Sequence, residues 1–193
     1  MERRLSVSTF WLIPASDFFS SLKRHGRCKR FRRISSFHLL PISATVVATG
    51  QTGISSFYNC LDFCQVHGRL PYFYITGGDP ILHPNFWDLL GLMRKNAVPF
   101  TILGNPFHLN DEVCRRLKRY GCEKYQLSLD GLSATHDWFR KPGSFQLTLE
   151  KIGCINRAGI RSVVMTTVSG VNIDEVPGII DAAVASGASV FAF

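Results

Sequence analysis

The sequence of 193 residues lacks the features that would assign it to a membrane protein or to a small secreted domain. It contains no apolar run of the ~18 residues that span a bilayer, so we expect no membrane partner. Its cysteines are too sparse for a dense disulfide framework; they are Cys28, Cys60, Cys64, Cys114, Cys122 and Cys154. Isolated cysteines of this kind favour a reducing setting, and we expect a cytoplasmic protein.

Acidic residues are scarce in the first 50 positions, which hold 9 Lys or Arg against 2 Asp or Glu. Residues 51–193 hold 13 against 12, so the net charge of +8 belongs almost wholly to the first segment. Seven of the basic residues fall within positions 23–33. A basic run of this kind is typical of a solvated, disordered tail, and a nucleic-acid-binding arm is the alternative for this segment alone. The start of the chain also faintly resembles a signal or transit peptide.

Helix and strand patterns alternate strictly after residue 51. Spacing, caps and terminal glycines predict helices, and apolar runs between them predict strands. The helices are expected at residues 52–68, 85–96, 111–120, 144–159 and 172–187, and the strands at 71–76, 99–103, 124–129, 161–168 and 188–193, with 38–49 as a further candidate. This alternation predicts a parallel α/β sheet. An open doubly wound sheet and a partial (β/α) barrel both fit, and we place one domain at residues 51–193.

Polar and glycine residues follow several of these strands. They are Gly77, Gly78, Asp79 and Pro80 after the first strand, Asn105 after the second, and Ser128 and Asp130 at the third. Ligands bind at the carboxyl ends of parallel strands in both architectures, and glycines let a ligand approach the backbone. The pattern predicts a site for a small polar ligand, although a plain tight turn explains the glycines equally well on local grounds. Asn172 and Glu175 have the spacing of a capping box, and residues 132–143 have the composition of a loop.

Three stretches together resemble the radical SAM superfamily, in particular the branch of peptide and protein maturases with an accessory Fe–S region. They are Tyr74-Ile-Thr-Gly-Gly-Asp-Pro-Ile-Leu-His-Pro84, Leu127-Ser-Leu-Asp-Gly131, and His136-Asp137 with Arg140 before Gly143-Ser-Phe145. Asn105 and Asn172 also stand where the family often has asparagine. Each motif is weak alone, and their order on successive strand ends makes the resemblance specific.

The resemblance implies a partial parallel (β/α)6 barrel that binds a [4Fe–4S] cluster and S-adenosylmethionine. Such enzymes cleave S-adenosylmethionine reductively to a 5′-deoxyadenosyl radical, here expected to modify a peptide or protein. By this resemblance Gly77, Gly78, Asp79 and Pro80 receive the methionine amino group. Ser128 and Asp130 lie near the ribose and carboxylate, and Arg140 pairs with the methionine carboxylate. Asn105 matches the family asparagine at the second strand.

The family's Cys-x3-Cys-x2-Cys motif is missing. Cys60-x3-Cys64-x2-His67 copies its spacing inside an expected helix, so we do not expect the chain as written to hold the cluster. We expect residues 1–50 not to be the family's native start, and the accessory C-terminal region to be absent. The alternatives are a non-catalytic (β/α) fragment that binds a nucleotide-like ligand or a partner, and an ordinary metal-free lyase or aldolase. A Schiff-base lysine is expected at a strand end, whereas Lys124 begins its strand, so the last alternative ranks lowest.

Overall fold

A computed structural model describes residues 43–47 and 72–193, and for residues 43–47 it describes the backbone alone. The described strands are β1 (Ser43–Val47), β2 (Tyr72–Thr76), β3 (Phe100–Leu103), β4 (Lys124–Ser128), β5 (Arg161–Met165) and β6 (Val190–Ala192). The described helices are α1 (Phe86–Lys95), α2 (Asp111–Arg119), α3 (Ser133–Phe139), α4 (Ser144–Arg157) and α5 (Val176–Ala185).

The six strands form one sheet in chain order, and every neighbouring pair is parallel. Strands in this order, joined by helices from β2 to β6, give the curved sheet of a partial (β/α) barrel, as expected. Because all strands run the same way, their carboxyl ends lie along one edge, which we call the C-terminal edge.

Alternate strand residues face the helices and form the core. Phe73, Ile75 and Tyr125 have no exposed surface, and each contributes most of its side chain to the hydrophobic stabilisation of the sheet. They pack with strand and helix residues that are almost wholly buried: Leu89, Leu90, Met93, Phe100, Ile102, Cys114, Leu117, Leu127, Ile152, Ile155, Val164, Ile179 and Ala183. This packing fixes the helices on one face of the sheet and so fixes the loops at the C-terminal edge.

The other face of the sheet is polar in its centre. The Tyr72 and Thr101 hydroxyl oxygens lie 2.6 Å apart, and Gln126 Nε2 donates to Met165 Sδ at 3.3 Å. These residues alternate with the core residues, because side chains point to opposite faces at successive strand positions. A partly exposed polar face of this kind lines the inside of the partial barrel.

The helix boundaries agree with the sequence where a local cap exists. Asn110 caps α2, since its side-chain oxygen accepts a hydrogen bond from Val113 N at 2.9 Å. The helix expected at 85–96 is α1, which begins at Phe86 after Asn85. An additional 3₁₀ turn, Pro80–Leu82, capped by Asp79, precedes it.

The expectation that residues 132–143 form a loop is wrong for its first half, which is helix α3. Leu132 at its N-cap makes no side-chain hydrogen bond, so the sequence contains no local capping signal that predicts the helix. A distant residue supplies the cap instead, because Glu175 accepts hydrogen bonds from Leu132 N and from the Thr135 hydroxyl, both at 2.7 Å.

Several predictions fall outside the described residues: the helix at 52–68, the basic run at 23–33, and Cys60, Cys64 and His67. The division of the chain at residue 50 stays a prediction. Within the part that the structure describes, no helix has the length and apolar character needed to cross a bilayer.

Candidate functional site

The loop after β2 contains two glycines in conformations that other residues rarely adopt. Gly77 has a φ of 113° and Gly78 a φ of 54°, which glycine reaches without steric cost. A Cβ built on Gly78 would meet no described atom within 4 Å. Pro80 follows as a buried residue at the start of the 3₁₀ turn. Among the described residues, nothing blocks the approach of a ligand to the main chain at Gly78.

Asp79 joins this loop to the loop after β3. One of its carboxylate oxygens, Oδ2, lies 2.7 Å from Nδ1 of His108, and Oδ1 accepts a long hydrogen bond from Ile81 N at 3.4 Å. The Asp79 side chain is 3% exposed and that of His108 is 47% exposed. His108 was not among the predicted site residues. Its place three residues after Asn105, at a neighbouring strand end, was the only available signal.

Asn105 presents a buried hydrogen-bond acceptor on its side chain. Its side-chain oxygen Oδ1 is buried and has no hydrogen-bond partner among the described residues, whereas its main-chain oxygen accepts a bond from the Tyr125 hydroxyl at 3.4 Å. Buried acceptors without partners are rare and costly in proteins. An acceptor of this kind at the C-terminal edge suits a ligand that donates a hydrogen bond.

Both carboxylate oxygens of Asp130, which follows β4, already accept hydrogen bonds from the protein. Its Oδ1 accepts from Thr167 N at 2.8 Å, and its Oδ2 accepts from Nε of Arg140 at 2.7 Å and also from Arg140 Nη2. Its main-chain N–H donates to His136 Nδ1 at 3.0 Å. The Asp130 side chain is 5% exposed, so this carboxylate is mainly a junction between β4, β5 and α3.

The structure places Arg140 on Asp130, with 47% of the arginine side chain exposed. Both of its bonded nitrogens reach the same carboxylate oxygen, and Nη1 makes no hydrogen bond within the described residues. Ser128 ends β4 half-buried, and its hydroxyl likewise makes no hydrogen bond there. Arg140 and Ser128 thus keep donors that a ligand can use.

The predicted site residues fall into two groups on the C-terminal edge. The first contains Gly77, Gly78, Asp79 and Asn105, and the second contains Ser128, Asp130 and Arg140. The first group follows β2 and β3, and the second follows β4, so Asp79 and Asp130 come from strands about 10 Å apart. No hydrogen bond between described residues links the two groups. An extended ligand of small-molecule size is needed to contact both.

Asn172 also belongs to the second group, but not as the cap that we expected. Its Nδ2 donates to Asp130 O at 2.8 Å and to Thr167 O at 2.9 Å, and its Oδ1 accepts from Ser169 N at 2.7 Å. It makes no side-chain cap to the following 3₁₀ turn, Ile173–Glu175. The capping-box prediction is wrong because these bonds occupy the Asn172 side chain, and the Glu175 carboxylate accepts from Leu132 N and the Thr135 hydroxyl instead.

His136 and Asp137 have structural roles beside Asp130. Burial lowers the pKa of His136, and its Nδ1 accepts a hydrogen bond, so in the neutral ring the proton is on Nε2. Asp137 accepts from Gly143 N at 2.6 Å and from Phe145 N at 2.8 Å. These bonds lower the pKa of Asp137 and satisfy the first turn of α4.

The described cysteines lie in the helical layer. Cys114, Cys122 and Cys154 are free and buried. Burial raises the pKa of Cys114 to about 11 and that of Cys122 to about 12, so both are protonated thiols rather than ligand thiolates. No three described His, Cys, Asp or Glu residues are grouped to hold a metal.

These observations test the cofactors that the resemblance implies. The open glycine backbone, the unused Asn105 oxygen and the carboxylate of Asp79 fit the ammonium and hydroxyl donors of S-adenosylmethionine. The described thiols do not fit a [4Fe–4S] cluster, because all three are buried in the core and burial keeps Cys114 and Cys122 protonated.

Comparisons with known proteins identify the family of this chain. Residues 61–183 match the Radical SAM superfamily. The mycofactocin maturase of Mycobacterium ulcerans is 30% identical over 129 residues, which are 63% of this chain and 35% of that protein. The AdoMet-dependent heme synthase of Methanosarcina barkeri is 26% identical over 145 residues, 74% of this chain and 41% of that protein.

A solved structure supports the fold. SuiB from Streptococcus suis, bound to S-adenosylmethionine, superposes with a TM-score of 0.61 at 14% identity, covering 78% of this chain and 38% of SuiB. The family match extends over more than half of the chain. This protein therefore belongs to the radical SAM superfamily. It spans about a third to two-fifths of the length of these two curated relatives.

Proposed function

We propose that residues 72–193 bind S-adenosylmethionine along the C-terminal edge. The observation that carries this proposal is the buried Oδ1 of Asn105, which has no hydrogen-bond partner among the described residues. It follows the strand next to the one that ends before the open backbone of Gly78. In this arrangement the carbonyls of that loop and the Asp79 carboxylate take the ammonium group. Ser128 and the free nitrogen of Arg140 contact the ribose and carboxylate side, about two strand spacings away.

Within the family, S-adenosylmethionine bound to a reduced cluster supplies a 5′-deoxyadenosyl radical. The residues of this chain bind and orient the cofactor and exclude water, as proteins do for cofactor chemistry in general. Asp130 holds Arg140 in place through its two hydrogen bonds.

For the whole protein we propose the modification of a peptide or protein. Two curated relatives are named as maturases, the mycofactocin maturase and the sporulation killing factor maturation protein of Bacillus subtilis. SuiB has also been solved with its precursor peptide SuiA. The free thiols at three described cysteines are consistent with a cytoplasmic setting.

A second candidate function is that of a non-catalytic protein that binds S-adenosylmethionine or a similar nucleoside. The sequence favours it because it contains no Cys-x3-Cys-x2-Cys motif, and because the described cysteines are buried among the helices. Binding and cluster assembly are separate properties, so each is measured separately.

Calorimetric titration of the full chain with S-adenosylmethionine tests the proposed site. We expect Asp79→Ala to weaken binding by roughly 1.5–3 kcal/mol, the value of a hydrogen bond to a charged group. The matched control is Asp111→Ala, since Asp111 lies on α2 and pairs with Arg157; its affinity should equal that of the wild type. Absence of binding by the wild type contradicts the proposal, and unchanged affinity in Asp79→Ala removes Asp79 from the site.

A further inference from the structure

We propose that His108 is a positioning residue for Asp79 and makes the affinity for a cationic ligand depend on pH. This inference rests on the proposed function, because it concerns the ammonium group of the ligand placed at Asp79. It assigns a role to the loop after β3 that the family motifs at Asp79 and Asp130 do not involve.

The first step is geometric. The Asp79 carboxylate is nearly buried, yet the described residues hold it by only two contacts. The contact from Ile81 N is long, at 3.4 Å, whereas His108 Nδ1 is 2.7 Å from Oδ2. The imidazole is therefore the principal restraint on the orientation of this carboxylate.

The second step concerns charge. A neutral imidazole donates its Nδ1 proton and leaves the Asp79 charge available to an ammonium ion. A protonated imidazole places a positive charge against the same carboxylate and competes with the ligand. Any change in the charge of this imidazole therefore changes the affinity of Asp79 for an ammonium ion.

Two other ionisable side chains lie near this pair, Tyr125 and Lys141. Tyr125 faces Asp79 from β4, and burial, together with the Asp79 charge, raises the pKa of Tyr125 well above its ordinary value. Lys141, from the segment after α3, has its Nζ 4.9 Å from the centre of the Phe107 ring beside His108. Among the described residues, Asp79 is the only acid bonded to His108.

The experiment measures the affinity of the full chain for S-adenosylmethionine between about pH 5.5 and pH 8, the range of imidazole titration. The wild type should bind roughly three- to tenfold more weakly at the lower pH, the size expected for a partly exposed charge contact. His108→Asn keeps a donor near the Nδ1 position and should bind well at both pH values. His108→Leu should bind weakly at both.

Two controls separate this role from a merely structural one. The ligand 5′-methylthioadenosine lacks the ammonium group, and its affinity should be independent of pH and of His108. His83→Asn changes another histidine of the same edge, which accepts a bond from Asn85 N, and should keep the pH dependence of the wild type.

The outcomes are distinct. If S-adenosylmethionine does not bind to the wild type, the proposed function fails and this inference fails with it. If it binds and the pH profile of His108→Asn equals that of the wild type, the proposed function stands and the role of His108 is refuted. If circular dichroism shows that His108→Leu is unfolded, His108→Asn alone decides the result.

Discussion

The Tyr125 hydroxyl occupies the space that a side chain at position 104 would need. A Cβ on Gly104 would lie 2.1 Å from the Tyr125 hydroxyl oxygen and 2.7 Å from the ring carbon that carries it. The tyrosine is fully buried and cannot move aside without disturbing the core. The glycine before Asn105 is therefore required by the packing of β4 rather than by a turn.

We expect Gly104→Ala to destabilise the protein by about 1–3 kcal/mol, the usual cost of overpacking a core. Urea denaturation followed by circular dichroism measures this change as a lower midpoint. Gly91→Ala is the control, since its Cβ would lie 3.7 Å from Tyr120 in ordinary contact and alanine favours the helix by about 1 kcal/mol. Equal stability of the two variants would contradict the assigned packing.

The Asp130–Arg140 pair should couple strongly. Asp130→Asn is expected to cost about 1–3 kcal/mol, because it leaves buried hydrogen bonds unmade. Arg140→Gln should cost less, since the arginine is half exposed. A double-mutant cycle with both changes should give a coupling energy of at least about 0.5 kcal/mol, larger than the coupling of the exposed Asp111–Arg157 pair measured in the same way. Additive effects at Asp130 and Arg140 would show that the pair is not formed.

His136 should make the protein sensitive to acid. Burial holds its pKa below the ordinary 6.5, so the unfolded chain binds a proton more readily than the folded one. The free energy of unfolding is then complete above about pH 6.5 and falls as the pH drops from there toward the pKa of the folded state. Denaturation at several pH values should reveal this loss in the wild type.

His136→Asn is the matched variant for that experiment. Its side-chain oxygen can accept the hydrogen bond from Asp130 N but cannot be protonated in this range, so the stability should vary less between about pH 5 and 6.5. An identical pH slope in the variant would exclude His136 as the source.

The chain as written should not assemble a stable [4Fe–4S] cluster. A site-differentiated cluster needs three converging thiolates, and the three described cysteines are buried core residues. Anaerobic reconstitution with iron and sulfide, followed by iron analysis and electron paramagnetic resonance, measures the result. Four irons per chain, with a signal that changes on addition of S-adenosylmethionine, would refute this prediction and indicate Cys60, Cys64 and His67 as ligands.

The sequence predicted the elements whose signals are local. The apolar run before Gly77 and the Asn110 cap both determine structure within a few residues, and both are found where expected. The parallel order of the strands followed from alternation alone. The C-terminal edge was correctly located for the same reason, because parallel strands must end together.

The parts that were missed depend on partners far along the chain. The N-terminal end of helix α3 is bonded to Glu175, 43 residues away from Leu132. The link between Asp79 and His108 spans 29 residues, and Asn172 bonds to Asp130 across 42. Short-range patterns contain no information on such pairs, so the residues were recognised but their partners were not.

The hydrogen bonds of Asp130 can form only in a certain order while the chain is being synthesised. Domains begin to fold from the N-terminus as the ribosome releases them. Arg140 follows Asp130 by 10 residues, but Thr167 follows by 37 and Asn172 by 42. During translation the acid at the end of β4 therefore has the arginine as its partner long before β5 and the next loop emerge. In a nascent chain stalled before residue 166, the Asp130 carboxylate would stay exposed to water, even with β2, β3 and β4 already paired.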